Sequence, residues 1–127
     1  MECKVKDDAL ELRKKLDDSD ALAFLASVYF LSVNGLAKNF VDRMRYYGEN
    51  GNPALAVAVA GNGEGMNIVL RGICRWLIML GFRPISPLSV TRYNLDVALV
   101  EVRMRGKRIA RLKPQPFSSL TEKIWNG

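Results

Sequence analysis

Apolar and polar positions along the chain change period several times, and each change marks an element. Ala9, Leu12 and Leu16 recur at helical spacing behind Asp8, and Asp8 with Glu11 has the form of a capping box. Arg13, Lys14 and Lys15 fall on the solvated side, and Asp17–Asp20 ends this first helix. Ala21 to Phe30 is then unbroken apolar sequence running into a polar turn, which predicts a strand covered on both faces, as in a parallel sheet. Ser32-Val33-Asn34-Gly35 reads as a turn with two cap candidates. Leu36, Phe40 and Met44 follow at i, i+4 and i+8 and predict a helix to about Tyr46, closed by a loop from Gly48 to Pro53.

The pattern then repeats. Ala54 to Ala60 alternates Leu55, Val57 and Val59 on one face with alanines on the other, a second buried strand whose alanine face lets a helix come close. Gly61-Asn62-Gly63-Glu64-Gly65 follows directly, and a helix is expected from about Met66 to Leu80. Its only polar positions, Asn67, Arg71 and Arg75, form one stripe. The rest of its circumference is apolar, which suits either a deeply covered helix or one shared with another subunit. Gly81 stops it. Phe82 to Val90 reads as a third strand, placed near an edge by Pro84 and Pro87. Asn94 to Leu112 fits a helix through Leu95, Ala98, Leu99, Val102, Ile109 and Leu112. It also fits a hairpin turning at Arg105-Gly106-Lys107, and its length favours the helix. The tail, Pro114 to Gly127, carries Phe117, Leu120, Ile124 and Trp125 and is expected to pack on the body or on a neighbour.

Strands separated by helices imply a parallel, layered α/β sheet, whose ligands sit at the carboxyl ends of the strands. Two loops leave those ends with suitable chemistry, Tyr29 to Gly35 and Gly61 to Asn67. The glycine-rich one fits neither G-x-G-x-x-G, because Met66 holds the last glycine's place, nor a Walker motif.

Composition narrows the chemistry. The chain has 127 residues, one domain's worth, and no histidine, which removes Ser-His-Asp and Cys-His nucleophilic sites and imidazole metal sites. Two cysteines, Cys3 and Cys74, cannot build a four-thiolate centre within one chain, so no metal site is expected. Chemistry here calls for a bound cofactor or a partner. The N-terminal stretch is charged and lacks an apolar signal core. The longest apolar run, Ile68 to Leu80, is too short for a membrane span and contains Arg71 and Arg75, so a soluble, cytoplasmic protein is expected. The net charge is +6. Arg103, Arg105, Lys107, Arg108, Arg111 and Lys113 form a basic run that reads as a solvated helix face or, less favoured, as a nucleic-acid contact, since no recognised nucleic-acid-binding motif accompanies it.

The run Val28-Tyr29-Phe30-Leu31-Ser32-Val33-Asn34-Gly35-Leu36-Ala37-Lys38-Asn39-Phe40-Val41-Asp42-Arg43 resembles the NADPH-dependent FMN reductases and iron–sulfur flavoproteins of the flavodoxin-like superfamily. These carry a Ser-Pro-x-Tyr strand end, a small-residue turn and a Lys-x-Phe-x-Asp-Arg helix. The following loop, Ala/Val-rich strand, Gly-rich loop, helix and strand match in order, over roughly residues 3 to 112. Cys3 stands where the family's cysteine-rich loop has its last cysteine, and reads as an ordinary thiol. Ala26-Ser27 replaces the usual Ser-Pro.

The resemblance implies a flavodoxin-like three-layer parallel sheet, N-terminally truncated to strands 3-4-5 and their helices over residues 1–113, with 114–127 as a tail. The family's first strand, phosphate loop, first helix and second strand have no counterpart in this chain. By position, Val28, Tyr29, Phe30 and Ser32 would border one edge of an FMN ring and Gly61, Asn62, Gly63 and Glu64 the other, with NAD(P)H as reductant and no protein acid–base residue required. The implied activity is that of a flavin or quinone reductase whose phosphate site either a partner chain or sequence upstream of Met1 completes. The alternative is a non-catalytic remnant serving as an assembly subunit. Loss of strands 1 and 2 would leave strand 21–30 as an open edge, so a homo-oligomer is expected through that strand, with helix 66–80 as a second contact.

Overall fold

The computed structural model describes residues 4–44 and 50–115. Cys3, Tyr46 and most of the tail expected to pack on the body lie outside the described residues. Helix α1 spans Ala9–Asp17, and strand β1 spans Leu22–Tyr29. Strand β2 is two residues, Ser32–Val33, and helix α2 is Gly35–Arg43. Strand β3, Pro53–Ala60, leads to helix α3, Met66–Met79. Strands β4, Arg83–Pro84, and β5, Leu88–Thr91, precede helix α4, Leu95–Ile109. The ambiguous C-terminal stretch is therefore helical. The expected third strand is broken in two, because Ser86 adopts a left-handed φ of 47° and turns the chain between β4 and β5.

β3 is the spine. β1 pairs with it in parallel from Leu22↔Ala54 to Ser27↔Val59. β4 and β5 pair in parallel with successive stretches of its other edge, Pro53–Ala54 and Val57–Ala60. β2 folds back antiparallel on the end of β1, giving the order β2-β1-β3-β4 with β5 also on β3. Such an alternation of parallel strands and helices is the expected α/β architecture.

Alternation along β3 sorts the core into two layers. Ala54, Ala56, Ala58 and Ala60 face α1, α2 and α3, and join Ile73, Leu77, Val69, Met66, Phe82 and Leu16 in one cluster. Leu55 and Val57 face the other way, against Leu88, Val90, Ala98 and Ile109 beneath α4. The alanine face admits α3 closely, as its small side chains predict. Ile73 and Leu77 are wholly buried there, each worth about 1.5–3 kcal/mol relative to exposure. α3 ends in a Schellman motif: Gly81, at φ 90°, donates to the Ile78 carbonyl, and the Phe82 amide donates to that of Leu77. That bend drops Phe82 into the core. Phe24 of β1 stacks near Phe40 of α2 and edge-on to Trp76 of α3, at centroid distances of 5.9 and 6.4 Å.

One expectation fails. β1 is not covered on both faces. Its Phe24 and Ala26 face the α1–α3 layer, whereas Leu25 is 60% exposed on the α4 side, because α4 lies over β3 and β5 and does not extend across β1. Among the described residues no helix is long and apolar enough to cross a membrane.

α1 and α2 are tied by a charged pair. Arg43 donates to Asp7 from Nε at 3.0 Å and from Nη2 at 2.6 Å, and the Ala9 amide also donates to Asp7. The guanidinium, helped by that amide, holds the Asp7 carboxyl below the usual carboxylate range. A depressed folded-state pKa contributes stability above the unfolded value, lost as pH falls through the folded one. An Asp7→Asn variant should therefore melt below the wild type at pH 7. The gap should close as pH drops through the ordinary value of about 3.9 and below it; thermal melts across that range check it, and a gap independent of pH would contradict the pairing.

Candidate functional site

Three loops leave the carboxyl ends of β1, β3 and β5, and backbone contacts bind them to one another. The first is the β1–β2 hairpin. Tyr29 pairs with Ser32, so Phe30 and Leu31 form a two-residue turn with φ of 48° and 63°. This backbone matches the right-handed strand twist, but Asn-Gly usually fills it. Two bulky side chains in left-handed conformations cost roughly 1–2 kcal/mol per residue. The turn thereby presents Phe30, fully exposed, with Tyr29 beside it. Asn34 anchors the base: its amide donates to the Ser27 carbonyl at 3.0 Å, and its Oδ1 caps α2 by accepting from the Ala37 amide. β2 goes undetected in the sequence because Phe-Leu carries no turn signal.

The second loop is Gly61–Gly65. Asn62 Oδ1 accepts from the Glu64 amide at 3.2 Å, and the Gly63 carbonyl accepts from Met66. Gly65 has φ 73°, and a Cβ there would stand 2.7 Å from the Leu31 Cα. Only glycine permits this approach. The amides of Asn62, Gly63 and Gly65 make no hydrogen bond among the described residues, so the loop holds three donors in reserve.

The third loop, Thr91–Asn94, has no place in the sequence-based site. Arg92 donates its amide to the Gly61 carbonyl at 3.4 Å, and a Cβ on Gly63 would touch Thr91 Cγ2 at 3.6 Å. Asn94 Oδ1 accepts from the Thr91 amide at 2.6 Å and from Thr91 Oγ1 at 3.2 Å. The Arg92 guanidinium lies over the Tyr93 ring, 4.7 Å from its centroid. A signal was present: Asn94 directly before an apolar helix is a cap residue at a strand's carboxyl end.

The structure thus brings Tyr29, Phe30 and Ser32 to the same end of the sheet as Gly61, Asn62, Gly63 and Glu64, joined through Leu31 and Gly65. Ser32 and Glu64 are exposed there. Val28 does not join them, since its side chain packs against the α1–α3 core. Beside the hairpin, Ser27, Asn34, Leu25, Leu36 and Val59 help line a cavity of about 320 Å³. Cys74 is partly buried on α3, and burial pushes its thiol pKa up, which disfavours thiolate chemistry. Among the described residues no group of three or more His, Cys, Asp or Glu could hold a metal ion.

The hairpin strain and the Gly65 contact predict opposite responses. Replacing Phe30-Leu31 by Asn-Gly should raise stability by about 1–3 kcal/mol. Gly65→Ala should lower it by more than about 1 kcal/mol. Urea unfolding of both variants checks this, and an unchanged midpoint in either contradicts the loop geometry.

The sequence profile described as NADPH-dependent FMN reductase matches residues 1–94. An iron–sulfur flavoprotein of Archaeoglobus fulgidus is 43% identical over 47 residues, which are 37% of this chain and 21% of that protein. The apo form of an NADH:FMN oxidoreductase superposes with a TM-score of 0.61 at 20% identity, over 73% of this chain and 50% of its own. General stress protein 14 of Treponema denticola, solved in complex with FMN, gives 0.51 at 18% identity, over 83% of this chain and 71% of its own. The chain therefore spans half the length of that oxidoreductase and a fifth of that flavoprotein. The fold is flavodoxin-like, and the chain belongs to the NADPH-dependent FMN reductase family.

Proposed function

We propose that this chain is the ring-binding part of a flavin-dependent oxidoreductase of the flavin or quinone reductase type, with NAD(P)H as reductant. The single observation that supports it most is the contact of the Leu31 turn with Gly65. Through that contact an exposed aromatic pair and a loop with three unused amide donors share one mouth.

These residues fit an isoalloxazine ring. Tyr29 and Phe30 offer flat apolar surface for stacking. The amides of Asn62, Gly63 and Gly65 are unused donors of the kind that ring carbonyls and N5 accept. Ser32 and Glu64 border the same mouth, and Thr91–Asn94 supports it from the β5 side. When bound, the flavin supplies hydride and electron transfer; the chain's own task is to orient the ring and keep one face dry.

The phosphate end of FMN is a different matter. The described loops contain no second glycine-rich turn, and Arg92, the cationic side chain on the third loop, is engaged with Tyr93. No phosphate seat is therefore assigned to the described residues. This chain alone should therefore bind riboflavin and FMN with Kd values within about threefold of each other, because the phosphate gains no partner. Each should raise the melting temperature, as any ligand of the folded state must. Tyr29→Ala and Phe30→Ala should each weaken both ligands by about two- to tenfold. Fluorescence titration and thermal melts check these outcomes. Purified chain whose melting point ignores both flavins would favour the non-catalytic assembly role instead. FMN bound a hundredfold more tightly than riboflavin would show a phosphate site within the chain.

A further inference from the structure

Helices α1 to α4 treat their charges differently. On α1, Lys15 pairs with Glu11 at 2.7 Å and Arg13 with Asp17 at 3.1 Å. On α2, Lys38 pairs with Asp42, and on α4, Arg105 pairs with Glu101 at 3.1 Å. Each pair is spaced i, i+4, the arrangement that steadies an exposed helix. α3 does the reverse. It contains no acidic residue, and its exposed row Asn67, Arg71, Arg75 sets two like charges one turn apart, which weakens a helix. Among the described residues neither guanidinium has an ion pair or a hydrogen bond.

That row borders a cavity of about 480 Å³, lined by Asn67, Leu70, Arg71, Cys74, Arg75 and Pro87. The volume is that of a small-molecule site. Helical spacing puts Leu70 and Cys74 between the arginine row and the buried row Val69, Ile73, Leu77, so they form an apolar shelf beside the guanidiniums. The far wall is the corner between β4 and β5, where Ser86 holds its left-handed φ. α4 fixes that corner from behind. Arg105 donates to the Ser86 and Pro87 carbonyls, and Arg108 Nη1 donates to Ser86 Oγ at 3.4 Å. The wall is therefore held in place by the chain itself, with two more cations behind it. Residues 65–115 carry ten Lys and Arg against two carboxylates, Asp96 and Glu101, and neither carboxylate lines the cavity. No residue of the Phe30 hairpin, of Gly61–Gly65 or of Thr91–Asn94 lines it either.

We infer that this cavity between α3 and the Ser86-Pro87 corner binds a small organic dicarboxylate with an apolar body. A guanidinium fork takes a carboxylate in two parallel hydrogen bonds, and two such forks stand here without a partner. Four residues of helix rise set them about 6 Å apart along the axis, a spacing that a diacid with a short chain or a single ring between its carboxylates can span. The body of that ligand lies on Leu70, Cys74 and Pro87, where it leaves water. Asn67, at the end of the same row, offers its amide to a further polar group. A single phosphate would draw both forks to one point and leave the apolar shelf uncovered. A nucleic-acid strand needs a longer basic track than this cavity provides, and Arg103, Lys107 and Arg111 belong to α4, on the opposite face of the sheet. The site is separate from the flavin mouth and does not depend on it.

The test titrates the whole chain, without flavin, with terephthalate, a flat ring bearing two carboxylates, and with benzoate, the same ring bearing one. Amide shifts of residues 67–75 and of Ile85, Ser86 and Leu88 should follow a single terephthalate curve. Its Kd should lie below about 5 mM and be at least about tenfold tighter than that of benzoate. Arg71→Gln and Arg75→Gln, both at exposed positions, should each bring terephthalate down to the affinity of benzoate. Arg103→Gln, an exposed cation on α4, should change it by less than about twofold. In a Cys3→Ser background, terephthalate should slow alkylation of Cys74, and benzoate at the same concentration should slow it less. Three results would overturn the assignment: equal affinity for the two acids, inorganic phosphate bound as tightly as terephthalate, or a loss on Arg103→Gln that matches the loss on Arg71→Gln. The last, joined by a tight complex with a DNA oligonucleotide, would give the charge to nucleic acid. Because no flavin is present, failure here leaves the flavin titrations untouched, and the converse holds.

Discussion

A side chain of any size at position 65 would collide with the backbone of Leu31, and the arrangement of the mouth depends on that absence. The contact joins the end of β1 to the start of α3, two pieces of chain that share no hydrogen-bonded register at that point. It can form because β1 and β3 lie side by side in parallel, so that their carboxyl ends reach the same level. Pairing from Leu22↔Ala54 to Ser27↔Val59 sets the height, and the left-handed turn at Phe30-Leu31 then leans toward the glycine loop. Lattice-like order in the sheet becomes a local site through one missing Cβ.

The strained turn has a use. A hairpin needing left-handed residues at both central positions is most cheaply built from Asn and Gly, and such a turn would present nothing apolar. Here the chain accepts the conformational cost and gains an exposed aromatic at the rim. Elsewhere the molecule is conventional: a Schellman stop after α3, an asparagine cap on α2, alternating core layers about β3. Ser86, between β4 and β5, is the one other left-handed non-glycine residue among the described residues, and strain of the kind held at the Phe30-Leu31 rim is the pattern expected where structure serves binding.

Much of this was legible in the sequence, and the reasons differ by element. β3 could be read because its Leu/Val and Ala positions alternate, and those two sets face two distinct layers. α3 could be read because its polar residues fall on one stripe and Gly81 closes it. The placement of Tyr29, Phe30 and Ser32 near Gly61–Glu64 followed from parallel topology. The hairpin strand β2 was illegible, since Phe-Leu imitates continued strand. The break at Ser86 was illegible too, because a left-handed serine leaves no mark beyond the neighbouring prolines. Val28 was misplaced by one step of alternation, which sends its side chain to the core. The bare face of β1 was hidden for a deeper reason: Leu25 is equally apolar whether its cover comes from its own helices or from another chain. The loop Thr91–Asn94 escaped notice because its contact with Gly61 arises only once β5 is laid beside β3.

The account stands on the three loops acting as one seat for a flat aromatic ligand. Amide chemical shifts recorded while lumiflavin, the ring without ribityl chain or phosphate, is added to the chain test this most directly. Shifts concentrated in residues 29–32, 61–65 and 91–94, moving together along one binding curve, are the predicted result. Shifts scattered over α3 and α4, or confined to one loop while the other two stay still, would contradict it.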